Sequence, residues 1–174
     1  MQKIVQFRYA AKDDYITIKE WLRASHVVKF WDNSMEFTNN LKNFINGDKN
    51  LYDYWVGSFK KVNHPFCLLV TSDAGLETPD YFLSHMPSKG KAWTIDFLIG
   101  DVKWLGCGLA ALTLRSFMDY LASIDLEIKT FIIDPAEQNK RAIRVYHKAG
   151  FQVVGGYIPN CGYFSGIQHL IMIR

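Results

Sequence analysis

A glycine-rich segment in the second half of the chain is the first candidate for chemistry. Residues 104–120 read WLGCGLAALTLRSFMDY, so that Gly106 and Gly108 come just before a run with helical apolar spacing. Main-chain N–H groups in the first turn of a helix lack partners within the helix, and the helix dipole favours negative charge there. Glycine also lets a phosphate approach the backbone closely. The segment therefore predicts an anion site, with a turn that needs glycine only for its positive φ as an equally weighted alternative.

A carboxylate lies in the middle of the apolar run that precedes these glycines. Asp96 stands inside WTIDFLI, residues 93–99. An isolated buried charge is costly, so Asp96 is expected either to face a cleft or to form a structural ion pair. In a cleft, its carboxylate could accept a proton directly or through one water molecule.

Two more candidates fall in a predicted helix near the C-terminus. Residues 134–151 read DPAEQNKRAIRVYHKAGF, in which Asn139 stands at the position of a helix cap. Tyr146 lies on the apolar side of this helix, where spacing alone favours a core aromatic residue. Cys107 has no His or acid placed beside it in the sequence to activate its thiol, so we expect no covalent role for it.

The elements that would position these residues follow from hydrophobic spacing. Apolar and β-branched runs predict strands at residues 4–9, 52–59, 66–71, 93–99, 127–133, 151–158 and 167–173. Helices are predicted from Asp13 or Asp14, from Asn33 or Ser34 to Gly47, from Leu109, and over residues 138–149. The order β-α-α-β-β-β-α-β-α-β-β predicts a mixed α/β fold. The helix after the glycines has its predicted apolar side at Leu109, Leu112, Phe117, Tyr120 and Leu121.

Composition limits the class of protein. The 174 residues are 49% hydrophobic and carry a net charge of +3, which suits one globular domain and does not indicate nucleic-acid binding. Three cysteines at unrelated spacings and five scattered histidines suggest neither disulfides nor a metal site. No apolar run is long enough to cross a bilayer, and the first residues do not resemble a signal peptide. We therefore expect a cytoplasmic protein without a metal and without a membrane partner.

Taken together, the two motif segments resemble the GNAT superfamily of acetyl-CoA-dependent N-acetyltransferases. The resemblance rests on the Gly-x-Gly-x-Ala loop at 106–110 and on the Asn-x-x-Ala-x-x-x-Tyr-x-x-x-Gly-Phe pattern at 139–151. The chain is still more similar to the bacterial aminoglycoside 6′-N-acetyltransferase group, through TIDFLI at 94–99, HVVKFW at 26–31 and the block at 134–151. The resemblance implies a single GNAT-like domain over residues 1–174, with a mixed, mostly antiparallel sheet flanked by helices.

The resemblance also implies a reaction and a role for each candidate residue. A primary amine would attack the thioester of acetyl-CoA directly, within a ternary complex. Asp96 would contact the amine and act as base, Tyr146 would hydrogen-bond the sulfur of CoA, and the N–H groups of residues 107–111 would bind its pyrophosphate. A backbone N–H of residues 97–99 would stabilise the oxyanion. The implied cofactor-binding residues are Leu98, Ile99, Leu105, Gly106, Cys107, Gly108, Leu109, Ala110, Ala111, Asn139, Ala142 and Tyr146.

The acceptor, meaning the substrate that carries the amine, is expected near aromatic and acidic side chains. Residues 72–91 form a long turn-rich stretch, and such loops are often functional. The predicted acceptor-binding residues are Trp31, Asp80, Tyr81, Phe82 and Asp96, whereas Asp73 and Glu77 are expected to be solvated. The acceptor is expected to be a small polycation, with an aminoglycoside 6′-amine as the first hypothesis. The alternatives are a siderophore lysine, a protein N-terminus, or a non-catalytic acyl-CoA-binding module, and the protein is expected to be a monomer or a homodimer.

Overall fold

The computed structural model describes residues 5–61, 64–77 and 80–174. The strands are β1 (Val5–Tyr9), β2 (Asp53–Phe59), β3 (Pro65–Asp73), β4 (Lys91–Ile99), β5 (Ile128–Ile133), β6 (Gln152–Tyr157) and β7 (His169–Ile173). The helices are α1 (Tyr15–Arg23), α2 (Ser25–Val28), α3 (Met35–Asn46), α4 (Leu109–Ile124) and α5 (Lys140–Ala149). This order confirms the predicted one, except that the single-turn helix α2 was not expected. The start of the predicted first strand, Ile4, and part of the predicted turn at 62–65 lie outside the described residues.

The seven strands form one mostly antiparallel sheet in the order β1-β2-β3-β4-β5-β7-β6. The pairs β1/β2, β5/β7 and β6/β7 are antiparallel, and β4 is parallel to β5. Registered pairs between β4 and β5 run from Lys91 to Thr94, whereas β4 itself continues to Ile99. The second half of β4 therefore extends past its last registered partner on β5, and it includes Asp96.

The chain divides into two compact units, Met1–Val70 with Phe97–Leu109 and Thr71–Asp96 with Ala110–Arg174. In the first unit, Ile18, Trp21 and Leu22 are buried and form the apolar face of α1. The ring of Trp21 packs so closely on Gly100 that an added Cβ would lie 1.9 Å from a ring atom. Glycine is therefore required directly after β4 by a close approach rather than by a positive φ.

The ends of α1 and α3 can be compared with the caps that the sequence predicts. Ser34 caps α3, since its hydroxyl accepts from the N–H of Phe37, and Gly47 ends the helix with a φ of 87°. Asp14 stands at the N-cap position of α1, as predicted, but its carboxylate makes no capping hydrogen bond to the helix. It accepts instead from the N–H of Ala11 and from the guanidinium of Arg8.

In the second unit, the predicted apolar side of α4 is confirmed only in part. Phe117 and Leu121 are buried as predicted, whereas Leu109, Leu112 and Tyr120 are half-buried. Ala111, Leu114 and Met118 are buried in addition. The helix is apolar on several sides at its start, so spacing alone does not determine which side faces the core. Among residues 5–61, 64–77 and 80–174, no helix has the length and apolar character needed to cross a membrane.

Candidate active site

The glycine loop has the backbone conformation that its composition predicts. Gly106 and Gly108 adopt φ values of 79° and 75°, in the left-handed region that side chains disfavour. Both glycines are exposed, and a Cβ built on either of them would meet no atom within 4 Å. Positive φ therefore explains the glycines, and in addition the main chain is open to a ligand at both positions.

The loop leads directly into α4, which is 16 residues long and has no acidic residue in its first turn. The N–H groups at this helix start have no partners within the helix, and the dipole adds positive potential. These features fit the predicted pyrophosphate site at residues 107–111. The N–H of Leu105, in contrast, donates to the carbonyl of Val102, so Leu105 could contribute only its side chain or its carbonyl.

At the end of β4, both predicted cofactor-binding side chains face the interior. Leu98 and Ile99 are buried, so only their main-chain atoms could reach a ligand without rearrangement. The carbonyl of Ile99 lies 2.9 Å from Nε2 of His26, a hydrogen bond that fixes the donor tautomer of this imidazole. His26 is therefore a structural support for the end of β4, a role that the sequence did not indicate.

The negative charge of the strand acid Asp96 acts on the helix tyrosine Tyr146. Asp96 is the one exposed residue of β4, whose other members are buried or half-buried. Tyr146 is 7% exposed, and its pKa is raised by burial first and then by the negative charges of Asp96 and Asp134. Its hydroxyl is therefore a hydrogen-bond donor at neutral pH. Tyr146 also packs near Phe151, so it is both a core aromatic residue and a neighbour of the acid.

Asn139 was predicted to be a helix cap and also a cofactor-binding residue, and the structure confirms the cap. Its Oδ1 accepts from the N–H of Ala142 at 3.1 Å, which satisfies one of the first amides of α5. The cap uses the oxygen of the side-chain amide, and its Nδ2 group is the remaining donor. A cofactor contact through Nδ2 is therefore compatible with the cap.

The predicted acceptor-binding residues are distributed over both units. Trp31 belongs to the first unit and packs edge-on against Phe37. In the second unit, Asp80 is exposed and the ring of Tyr81 stacks on Tyr157 with centroids 4.1 Å apart. Phe82 is 3% exposed and belongs to the hydrophobic core, so its predicted acceptor contact is replaced by a packing role.

A cavity of about 250 Å³ in the first unit is not suited to the expected acceptor. Its lining includes two cations, which would repel a polycation at neutral pH. The lining residues are Lys19, Leu22, Arg23, Asn33, Ser34, Met35 and Thr38.

Glu77 is a functional candidate that sequence reasoning wrongly assigned to the solvated surface. It is half-buried, and its Oε1 accepts hydrogen bonds from the hydroxyls of Ser72 and Thr94. Burial raises the pKa of Glu77, the two hydrogen bonds act to lower it, and the nearby charges of Asp134 and Asp73 raise it; the net direction is upward. The turn-rich sequence around Glu77 suggested exposure, and no local signal indicated its hydroxyl partners.

A second missed group joins three elements of the second unit. The hydroxyl of Tyr157 donates to the carboxylate of Asp134, and Nδ1 of His169 lies 2.6 Å from the carbonyl and 3.5 Å from the carboxylate of the same residue. Burial is the largest cause of the raised pKa of Tyr157. The charge and hydrogen bond of Asp134 come next, and the charges of Asp96 and Glu77 contribute least. The negative charges of three carboxylates, those of Asp134, Asp96 and Glu77, therefore all act on the hydroxyl of Tyr157.

Comparison with known proteins shows the family of this chain. The family model described as acetyltransferase (GNAT) domain matches residues 10–157, so the chain belongs to the GNAT acetyltransferase family and is an acetyltransferase.

The curated relatives, and several of the solved structures that this chain resembles, are named as aminoglycoside N(6′)-acetyltransferases. The chain is 26% identical over 162 residues to the aminoglycoside N(6′)-acetyltransferase type 1 of Klebsiella pneumoniae, covering 87% of this chain and 75% of that protein. The aminoglycoside N(6′)-acetyltransferase of Legionella pneumophila matches with a TM-score of 0.79 at 23% identity, over 99% of this chain and 92% of that one. AAC(6′)-Ib, solved with coenzyme A and kanamycin, matches with a TM-score of 0.78 at 21% identity, over 98% and 94%. The structural matches establish the fold.

The contact between Asp134 and His169 gives a pH-dependent prediction. Burial acts to lower the pKa of His169, but the hydrogen bond and charge of Asp134 act in the opposite direction, and the net shift is upward from 6.5. A raised folded-state pKa stabilises the protein fully below the unfolded pKa, and this stabilisation is lost as pH rises through the folded pKa. We expect the loss of unfolding free energy in Asp134→Asn to shrink as the pH rises from about 6 to about 8.

Urea unfolding of both proteins at several pH values measures this difference. In a His169→Gln background, the Asp134→Asn substitution should cost the same at each pH, because the titrating partner is absent. A pH dependence that survives in the His169→Gln background would show that another group causes it.

Proposed function

We propose that this chain transfers an acetyl group from acetyl-CoA to a primary amine of a small polycationic acceptor, with an aminoglycoside 6′-amine as the first hypothesis. The observation that carries the proposal is a group of carboxylates in the second unit. Asp134 accepts from the hydroxyl of Tyr157, Glu77 accepts from the hydroxyl of Thr94, and Asp96 lies two residues after Thr94 on β4. The negative charges of all three carboxylates act on Tyr157. Such a field favours a cationic acceptor over a neutral or anionic one. The names of the relatives support the same acceptor class.

The glycine loop would hold the diphosphate of acetyl-CoA. The N–H groups of residues 107–111 supply donors, the open backbone at Gly106 and Gly108 gives a phosphate room to approach, and the dipole of α4 stabilises its charge. Asn139 and Ala142 would lie along the arm of the cofactor, Asn139 through its Nδ2 group. The exposed thiol of Cys107 has no part in this scheme, since its Sγ is directed at the carbonyls of Lys103 and Leu105.

Acetyl-CoA supplies the acetyl group as a thioester. Residues of the chain accept the proton of the acceptor and stabilise the charge that develops during transfer. Asp96 takes a proton from the ammonium of the acceptor, directly or through water, so that a neutral amine can attack the carbonyl carbon. Main-chain N–H groups of β4 beyond Thr94, where registered pairing with β5 has ended, would stabilise the negative charge that develops on the carbonyl oxygen. The C–N bond forms as the C–S bond breaks, and the second proton of the attacking nitrogen passes to solvent, from which the thiolate is protonated.

Tyr146 would donate a hydrogen bond to the departing sulfur. Because burial and two carboxylates raise its pKa, Tyr146 is a weaker acid than a thiol, whose usual pKa is about 8.5. A full proton transfer from Tyr146 to the thiolate is therefore unfavourable. Its role in this proposal is to stabilise the sulfur by hydrogen bonding, and solvent completes the protonation.

Release of free thiol from acetyl-CoA, measured with a panel of amines, tests the proposal. The panel contains aminoglycosides, polyamines, a lysine derivative that represents the siderophore alternative, and a peptide with a free N-terminus. We expect the highest kcat/KM with an aminoglycoside. Turnover of the peptide or of the lysine-like amine alone would favour one of the alternative acceptors, and CoA binding without turnover of any amine would favour a binding module.

Asp96→Asn separates the amine side of the reaction from the cofactor side. We expect kcat with the best acceptor to fall at least about 100-fold, because the general base is lost, while the dissociation constant for acetyl-CoA stays within about twofold. Steady-state kinetics and calorimetric titration measure the two quantities. Asp119→Asn, which neutralises an exposed carboxylate on α4, is the matched control and should leave both unchanged. An equal loss of turnover and of acetyl-CoA binding in Asp96→Asn would assign Asp96 a structural role.

Gly108→Val tests the phosphate site. The new side chain would occupy the open space above the loop, so we expect CoA affinity to fall at least about 100-fold, the equivalent of losing several charge-assisted hydrogen bonds. Gly162→Val is the control, since Gly162 has a φ of 77° and is equally open. Both variants should lose similar thermal stability from backbone strain. Similar CoA affinity in the two variants would contradict the proposed site.

A further inference from the structure

Glu77 is a partly buried carboxylate that lacks a cationic partner among the described residues. No Lys, Arg or His in the described part of the chain forms an ion pair with it, although ion pairs are found for Asp14, Asp101, Asp125, Glu127 and Asp134. Its hydrogen bonds come from two neutral hydroxyls, those of Ser72 and Thr94. Burying a carboxylate is costly unless a cation or several strong donors compensate it.

The hydroxyls cannot supply that compensation fully. Ser72 and Thr94 also contact each other, with their hydroxyl oxygens 2.7 Å apart. Three oxygen–oxygen contacts therefore share only two hydroxyl hydrogens when Glu77 is ionised. Each hydroxyl has one hydrogen to donate, so the ionised Glu77 is left short of donors. A further donor, such as an ammonium group, would complete the arrangement.

Glu77 is also placed close to the proposed acid of the reaction. Its hydrogen-bond partner Thr94 lies two residues before Asp96, and alternate residues of a strand point to the same face with Cα atoms about 7 Å apart. The charges of both Glu77 and Asp96 reach the hydroxyl of Tyr157. The carboxylates of Glu77 and Asp96 therefore lie in one region of the second unit. A single amino group of an acceptor can form an ion pair with only one of them.

We propose that Glu77 binds a second ammonium group of the acceptor while Asp96 contacts the amine that is acetylated. The acceptor class is then a compound with at least two amines, separated by roughly the span of two strand residues. This inference rests on the proposed function and extends it, because it makes Glu77 a specificity-determining residue. A hydrogen bond between charged groups is among the stronger ones in proteins, so its loss should be measurable in acceptor affinity.

The test is a comparison of the best acceptor with analogues in which a single amine is replaced by a hydroxyl. One of these analogues keeps the amine that is acetylated but lacks the amine that Glu77 binds. In the wild-type protein, the KM for this analogue should be about tenfold higher than the KM for the parent acceptor. Glu77→Gln keeps the size of the side chain and the oxygen that accepts from Ser72 and Thr94, but removes the charge. In this variant, the KM for the parent acceptor and the KM for that analogue should be similar. The kcat and the KM for acetyl-CoA should stay within about twofold of the wild-type values.

Asp119→Asn is again the matched control and should keep the wild-type preference. Glu77→Asp is a second variant, in which the shortened carboxylate should retain part of the preference, and thermal unfolding confirms that both Glu77 variants are folded. A wild-type preference that persists in Glu77→Gln, or a loss of kcat with every acceptor alike, would overturn the inference while leaving the proposed function intact. If the wild-type protein releases no thiol with any amine, the proposed function and this inference fail together.

Discussion

The arrangement of this site depends on one electrostatic constraint, which is the grouping of carboxylates around buried hydroxyls in the second unit. Glu77, Asp96 and Asp134 act on Tyr157, and two of them also act on Tyr146. In the described part of the protein, Asp134 contacts His169, and Glu77 accepts hydrogen bonds from two hydroxyls. In the proposed function, an ammonium group of a polycationic acceptor would compensate the charge of Glu77, which would contribute to affinity and selectivity.

In the proposed mechanism, burial assigns different chemical roles to Asp96 and to Tyr146. Asp96 is exposed at a point where β4 has passed its last registered pair with β5, so its carboxylate can meet a substrate and exchange protons with water. Tyr146 is buried and surrounded by negative charge, which keeps its proton on the hydroxyl. One group is therefore suited to accept a proton, and the other is suited to donate a hydrogen bond without losing one.

The extent to which this structure follows from the sequence depends on how local each determinant is. Ser34 and Gly47 act on the helix in which they stand, and Gly106 and Gly108 act on their own turn, so residue type and position were sufficient to predict them. The buried side of α4 is decided by packing against distant residues, and its apolar start offers more than one solution. Glu77 and His169 were missed for the same reason. Their partners, Thr94 and Asp134, are 17 and 35 residues away, and no pattern of residue types reveals such a contact.

A crystal structure of the protein with coenzyme A and kanamycin tests the account most directly. The account predicts that the diphosphate oxygens accept hydrogen bonds from main-chain N–H groups of residues 107–111, at about 2.9 Å. It also predicts that an amino group of the acceptor lies within about 3.2 Å of the Asp96 carboxylate and close to the sulfur of the cofactor. A diphosphate bound elsewhere, or an acceptor with no amino group near Asp96, would contradict it.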